Sequence, residues 1–186
     1  MRRRRRSRNG NNTGNNNQTR KPKFTGRISD HFSKKDFAFS DPSGKDRLKI
    51  SMGLVGGLEM LRSLAQARVT VHRGFITQEI AEKEGNWKRN YHPLGLAADV
   101  TAEGMSNEDL FLLAEQVPEF KGIGLSIDNN HVHVDTRKTE ERVLWIEESN
   151  SILDLDDSLR RQYGLVPKAA EAPPPIQEKD AASEDK

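Results

Sequence analysis

Two short segments constrain this chain more than any others: Tyr91-His-Pro-Leu-Gly-Leu-Ala-Ala-Asp99 and Asn130-His-Val-His-Val-Asp135, about thirty residues apart. In a strand, alternate residues share a face. The second segment therefore turns Val132 and Val134 toward a core and His131, His133 and Asp135 the other way. Leu96 to Thr101 reads as another strand, with Ala97 and Asp99 on one face and Leu96, Ala98 and Val100 opposite. Small Ala97 leaves room beside Asp99, and Gly95 lets the chain turn closely after His92. Two such strands present Asp99 and His133 to a common space, and the preceding loop can deliver His92.

Two imidazoles and one carboxylate suit a catalytic zinc ion, with a fourth position left for water. An ordinary half-exposed edge strand also accommodates a His-Val-His run. Against that bland reading, four of the five histidines lie between residues 72 and 133. His72 reads as a structural histidine, and His131 as either a pocket wall or plain surface.

Around these segments the pattern alternates helices and strands. Ile50 to Ala67 carries Leu54, Leu58, Leu61 and Leu64 at helical spacing, with Gly56 and Gly57 weakening the helix or allowing close packing. Val69-Thr-Val71 reads as a buried strand, and Thr77 to Glu84 as a short helix in which Glu82 and Glu84 are solvated charges. Ser106 opens a Ser-x-x-Asp capping pattern and a helix that Pro118 stops. Gly122 to Ile127 and His131 to Thr136 read as antiparallel strands joined by Asp128-Asn-Asn130. Val143 to Ile146 is a strand or a helical turn, and Asp156 to Tyr163 a C-terminal helix. This order predicts an α+β domain with a mainly antiparallel sheet.

The ends differ in composition. Residues 1–23 hold nine Arg or Lys and no acid, in a run of Asn, Gly and Thr that buries too little to offset its ordering entropy. From Lys168 the chain becomes Pro-rich and charged. The expected division is a disordered basic arm over 1–23, a folded domain over 24–167 and a disordered tail over 168–186. Without the arm, 21 basic residues face 28 acidic ones, so the net charge of +2 conceals an acidic body. Such an arm suits an anionic polymer, nucleic acid or lipid surface. The absence of cysteine excludes disulfides and thiolate metal sites. No transmembrane stretch occurs, and Asn11 to Gln18 stand where a signal peptide needs an apolar core. The compartment and the oligomeric state are not fixed by these features; the default is cytoplasmic unless another route releases the protein.

His92-Pro-Leu-Gly-Leu-Ala-Ala-Asp99 resembles the His-x-x-Gly-x-Ala-x-Asp motif of peptidase family M15, the zinc D-Ala-D-Ala carboxypeptidases and related peptidoglycan endopeptidases. His131-Val-His-Val-Asp135-Thr-Arg137 resembles the closing strand of its carboxypeptidase-like branch, with Gly122-Ile-Gly124 as lead-in. The likeness spans about residues 30–138, starting at His31-Phe32-Ser33. It implies a hedgehog/DD-peptidase type fold and His92, Asp99 and His133 as zinc ligands. Three positions depart from the family pattern: Asn90 for a usual Ser, Ile76 for a substrate-holding Arg, and Asn130 for a common acid.

The resemblance implies a zinc peptidase acting on peptidoglycan stem peptides or cross-links. Asp135 is the expected catalytic carboxylate, either taking a proton or orienting a ligand imidazole, with Asp128 a weaker choice. Arg73, Trp87, Tyr91 and His131 are the expected substrate contacts, with Arg89 beside them. One alternative is a noncatalytic zinc-binding module of the same fold that holds cell-wall peptide. A third reading is nucleic-acid or anionic-surface binding through the basic arm.

Overall fold

The computed structural model describes residues 26–41, 43–85 and 90–166. The basic arm, the C-terminal tail, Trp87 and Arg89 lie outside the described residues.

The segment ahead of Ile50 forms a short helix α1 (Lys34–Phe37) and a two-stranded ladder, β1 (Phe39–Ser40) with β2 (Asp46–Arg47). Phe32 and Phe37 from this stretch are buried in the core, which is why a segment so rich in charge still folds onto the domain. Helix α2 (Met52–Ala65) begins at Ser51, whose hydroxyl accepts from Gly53 N. Its stripe of Leu54, Val55, Leu58 and Leu61 is buried, and a Cβ on Gly57 would lie 2.6 Å from the Phe120 ring. Close packing, rather than helix weakening, is the role of that glycine.

A six-stranded sheet follows in the order β3-β4-β6-β5-β7-β8. Its strands are β3 (Val69–Arg73), β4 (Ala97–Ala102), β5 (Gly122–Ser126), β6 (His131–Asp135), β7 (Val143–Glu148) and β8 (Ser151–Asp154). All neighbours are antiparallel except β5 and β7. Between strands lie α3 (Gln78–Lys83), a 3₁₀ turn at His92–Leu94 and α4 (Asn107–Ala114); α5 (Asp157–Gln162) follows the sheet. The expected cap of α4 is present: Ser106 Oγ accepts from Asp109 N at 3.1 Å. No helix among the described residues is long and apolar enough to cross a membrane.

The architecture is the expected α+β one. One face of the sheet carries Ala98, Val100, Ile123, Leu125, Val132, Val134 and Ile146, all but fully buried against α2 and α4. Each such large apolar side chain contributes about 1.5–3 kcal/mol on leaving water. The other face is polar and open, so the site rests on strands that the core already fixes.

Two elements differ from the sequence expectation. Strand β3 is an edge strand in which only Val69 is buried, because its outer side has no neighbour in the sheet. The β7–β8 hairpin was expected only as one strand or a turn; β8 is exposed along its length and shows no hydrophobic alternation to read.

Candidate metal centre

The register of β4 on β6 sets Asp99 directly opposite His133. The same transverse row continues through Gly124 of β5, Trp145 of β7 and Asp154 of β8, and begins at Arg73 of β3. Arg73 reaches this row through a bulge: Val71 pairs with Val100 and Arg73 with Asp99, leaving His72 as the extra residue. A regular strand would have aimed Arg73 elsewhere.

Three imidazoles converge on Asp99 Oδ1. His133 Nδ1 lies at 2.8 Å, His92 Nε2 at 3.2 Å and His131 Nε2 at 3.6 Å. Asp99 and His92 are buried, at 5% and 4% exposure. Burial opposes the charge on Asp99, but the charge of His92 and the hydrogen bond from His133 outweigh it and hold the carboxyl well below its usual range.

His92 is delivered by the 3₁₀ turn, which Gly95 ends with a φ of +70°. Asn90 fastens that turn, its Oδ1 accepting from His92 N at 3.0 Å. The ring is oriented from behind by Gly74 O, 2.7 Å from Nδ1. A carbonyl oxygen only accepts, so Nδ1 donates to it and Nε2 is the nitrogen that faces Asp99 and could be offered to a metal.

His133 is held at both nitrogens, with Nε2 at 3.3 Å from Asp135 Oδ2. Burial by itself would lower the His133 pKa; hydrogen bonds to Asp135 and Asp99 override it and push it up to about 9. Asp135 is fully buried and receives Arg137 through Nε at 2.8 Å, Nη2 at 2.5 Å and the backbone N at 3.0 Å. Against the cost of burial, these bonds and His133 bring Asp135 down to about 2. The side chain therefore faces His133 and Arg137 rather than open solvent.

The glycines of β5 make this crowding possible. A Cβ on Gly122 would stand 2.1 Å from Asp135 Oδ2, and one on Gly124 would stand 2.3 Å from the Trp145 indole. Through the second gap Trp145 comes within 5.3 Å of the His133 ring.

A cavity of about 360 Å³ opens over the row. Among its walls are Arg73, His131, Trp145, Glu147 and Asp154. Arg73 is ion-paired to Glu84 at 2.6 Å, so Glu84 belongs to the cavity edge and is more than a solvated helix charge. His131 faces the cavity, and burial lowers its pKa despite the opposing charge of Asp99. Tyr91 stands behind the wall, its ring 4.6 Å from the Arg137 guanidinium. His72 donates to or accepts from Thr101 Oγ1 at 2.7 Å while also lining the cavity.

The departures noted in the sequence are also located. Ile76 is buried at 3% exposure. Asn130 sits in the turn with a φ of +52° and accepts from Asn107 Nδ2 at 2.9 Å. Asp128 accepts from Ser149 N at 2.6 Å, pinning the turn to the β7–β8 hairpin. Trp145 and the role of Arg137 were not anticipated. The Arg137 signal was available, since residues two apart on an extended chain share a face.

Ligand atoms of His92, Asp99 and His133 all lie within 4.8 Å of one another and could hold a metal ion. The donor set fits a cation: among the described residues no Lys or Arg forms an ion pair with buried Asp99, whose side-chain partners are imidazoles. Two nitrogen donors and one oxygen donor suit a divalent cation of the zinc type. A family model described as Peptidase M15 matches residues 30–135, a span that includes all three residues. No curated protein matches the chain.

Proposed function

Since the chain belongs to the peptidase M15 family, we propose that it is a zinc-dependent peptidase hydrolysing peptide bonds in peptidoglycan stem peptides or cross-links. The observation that carries this reading is the convergence of His92 Nε2 and His133 Nδ1 on one buried oxygen of Asp99, on the floor of an open cavity. A zinc ion held by these three would polarise the scissile carbonyl and lower the pKa of a water toward about 7.

The remaining roles fall to the chain's own side chains. Asp135 acts through His133 as an orienting carboxylate, because its oxygens are occupied by Arg137 and the imidazole. His131, 3.6 Å from Asp99 and facing the cavity, carries a proton between water and the leaving amine. Arg73 binds a carboxylate of the peptide, taking the part that Ile76 cannot. Trp145 closes the wall beside His133. The folded unit in this reading is residues 24–167, with the basic arm free to contact an anionic polymer.

A second reading, a noncatalytic module that binds zinc and cell-wall peptide, is favoured by two observations. Ile76 is in the core, and Asn130 is bonded to Asn107 in the turn. The test that separates the two is zinc analysis together with muropeptide hydrolysis on wild type and His133→Ala. Near-stoichiometric zinc with cleavage, both lost in the variant, supports the peptidase. Zinc without cleavage supports the module, and absence of zinc uptake rejects both.

A further inference from the structure

Arg137 lies two residues beyond the family match and touches three separate parts of the site. Its guanidinium forks onto Asp135 through Nε and Nη2. It lies 4.6 Å from the Tyr91 ring, next to His92 in the chain, and 5.2 Å from the ring of Trp145. Asp135 in turn contacts His133 Nε2, the nitrogen that points away from Asp99. Gly122 has no side chain where Asp135 and Arg137 meet; a Cβ there would also stand 2.5 Å from Arg137 Nη2.

We propose that Arg137 is a positioning residue of the metal centre, fixing the Asp135 carboxylate that fixes the His133 ring, so that Nδ1 is the atom offered to the metal. The proposal rests on the metal reading above. A carboxylate with two free rotamers could turn from His133 or swing into the cavity and become a ligand itself. The fork from Arg137, with Nε and Nη2 in one plane, removes that freedom. The two rings restrict the guanidinium in turn. Lysine cannot reproduce the fork, since an ammonium is a point donor without a plane.

The test uses the full chain, stripped with chelator and titrated with cobalt(II), read by competition affinity and by the visible absorption of the bound ion. Loss of a group orienting a ligand imidazole typically weakens metal about 10–100-fold. Arg137→Met is expected to weaken cobalt about tenfold and alter the absorption bands, with Arg137→Lys in between. Because both residues act along one path, Asp135→Asn with Arg137→Met is expected to be no weaker than Asp135→Asn alone. Wild-type affinity and bands in a folded Arg137→Met, or full additivity in the double variant, would overturn the proposal. If Arg137→Met does not fold, Arg137→Lys decides it: wild-type affinity and bands there overturn it. His133→Ala separates the two levels: unchanged cobalt binding in that variant overturns the metal reading itself, whereas loss there with no effect at Arg137 overturns only the positioning role.

Discussion

Asp99 and His133 face each other across the β4–β6 ladder, with 2.8 Å between Oδ1 and Nδ1. They are 34 residues apart in sequence, and the pairing of two strands with Val and Ala on the opposite face brings them together. The geometry of the site is thus inherited from the core.

Removing the shared carboxylate removes the only anion in the ligand set. Asp99→Asn keeps the shape and one acceptor oxygen but not the charge. Zinc affinity is expected to fall by more than the roughly 100-fold that marks the upper range for outer partners of a metal ligand. Chelator competition measures it, and an affinity within tenfold of wild type would contradict the assignment.

Metal-free protein has a distinctive pH dependence. Raised from 6.5 to about 9, the His133 pKa contributes stability that is complete below about 6.5 and is lost as pH rises through 9. Asp135, lowered from 3.8 to about 2, contributes stability that is present above 3.8 and is lost as pH falls through 2. Urea titrations of chelator-treated protein at pH 6 and 9.5 should show lower stability at the higher pH. If zinc takes Nδ1 of His133 in place of its proton, loading at pH 7.5 should release close to one proton, detected as a binding heat that varies with the buffer.

Freeing Arg73 should sharpen substrate capture. Glu84→Gln removes the anion paired with Arg73, which in the proposed function competes with a peptide carboxylate for the guanidinium. A several-fold lower KM with unchanged kcat is expected, and Arg73→Ala should raise KM. Both partners are partly exposed, so stability should shift by less than about 1 kcal/mol. A fall in kcat without a change in KM would place Arg73 elsewhere in the reaction.

Gly124→Ala forces the Trp145 indole away from His133. Overpacking of this kind costs about 1–3 kcal/mol. Adding Trp145→Ala should recover part of that loss, giving a non-additive double-mutant cycle. Additive losses would mean the two residues do not share the space.

Outside the metal-binding row, Arg142 donates to the carbonyls of Glu115, Val117 and Phe120 in the segment that follows α4. Arg142→Met should cost about 1.5–3 kcal/mol in urea unfolding while leaving zinc affinity unchanged. Weakened metal binding would show that the helix layer reaches the open face.

The alternation of His131 to Asp135 and of Leu96 to Val100 is a local property, so both strands, their faces and the meeting of Asp99 with His133 could be read directly from the chain. Helix α4 was legible for the same reason, since Ser106 caps it through the Asp109 backbone N within one turn. Other features depend on distant partners. The parallel pairing of β7 with β5 carries no local signal, so Trp145 could not be placed beside His133 before the sheet order was known. The bulge that aims Arg73 is set by pairing with β4, not by the residues of β3. The burial of Asp135 likewise follows from Gly122 on a neighbouring strand.

Because one side of β4 and β6 holds the core and the other holds His133 and Asp99, the two cannot drift independently. A single inserted residue within 97–100 or 131–135 would invert every side chain beyond it. Valines would then meet solvent and histidines the helices, so the same lesion that disarms the protein also unfolds it. Length can change without that penalty only in the connections, where it reshapes the cavity mouth and leaves the row beneath it untouched.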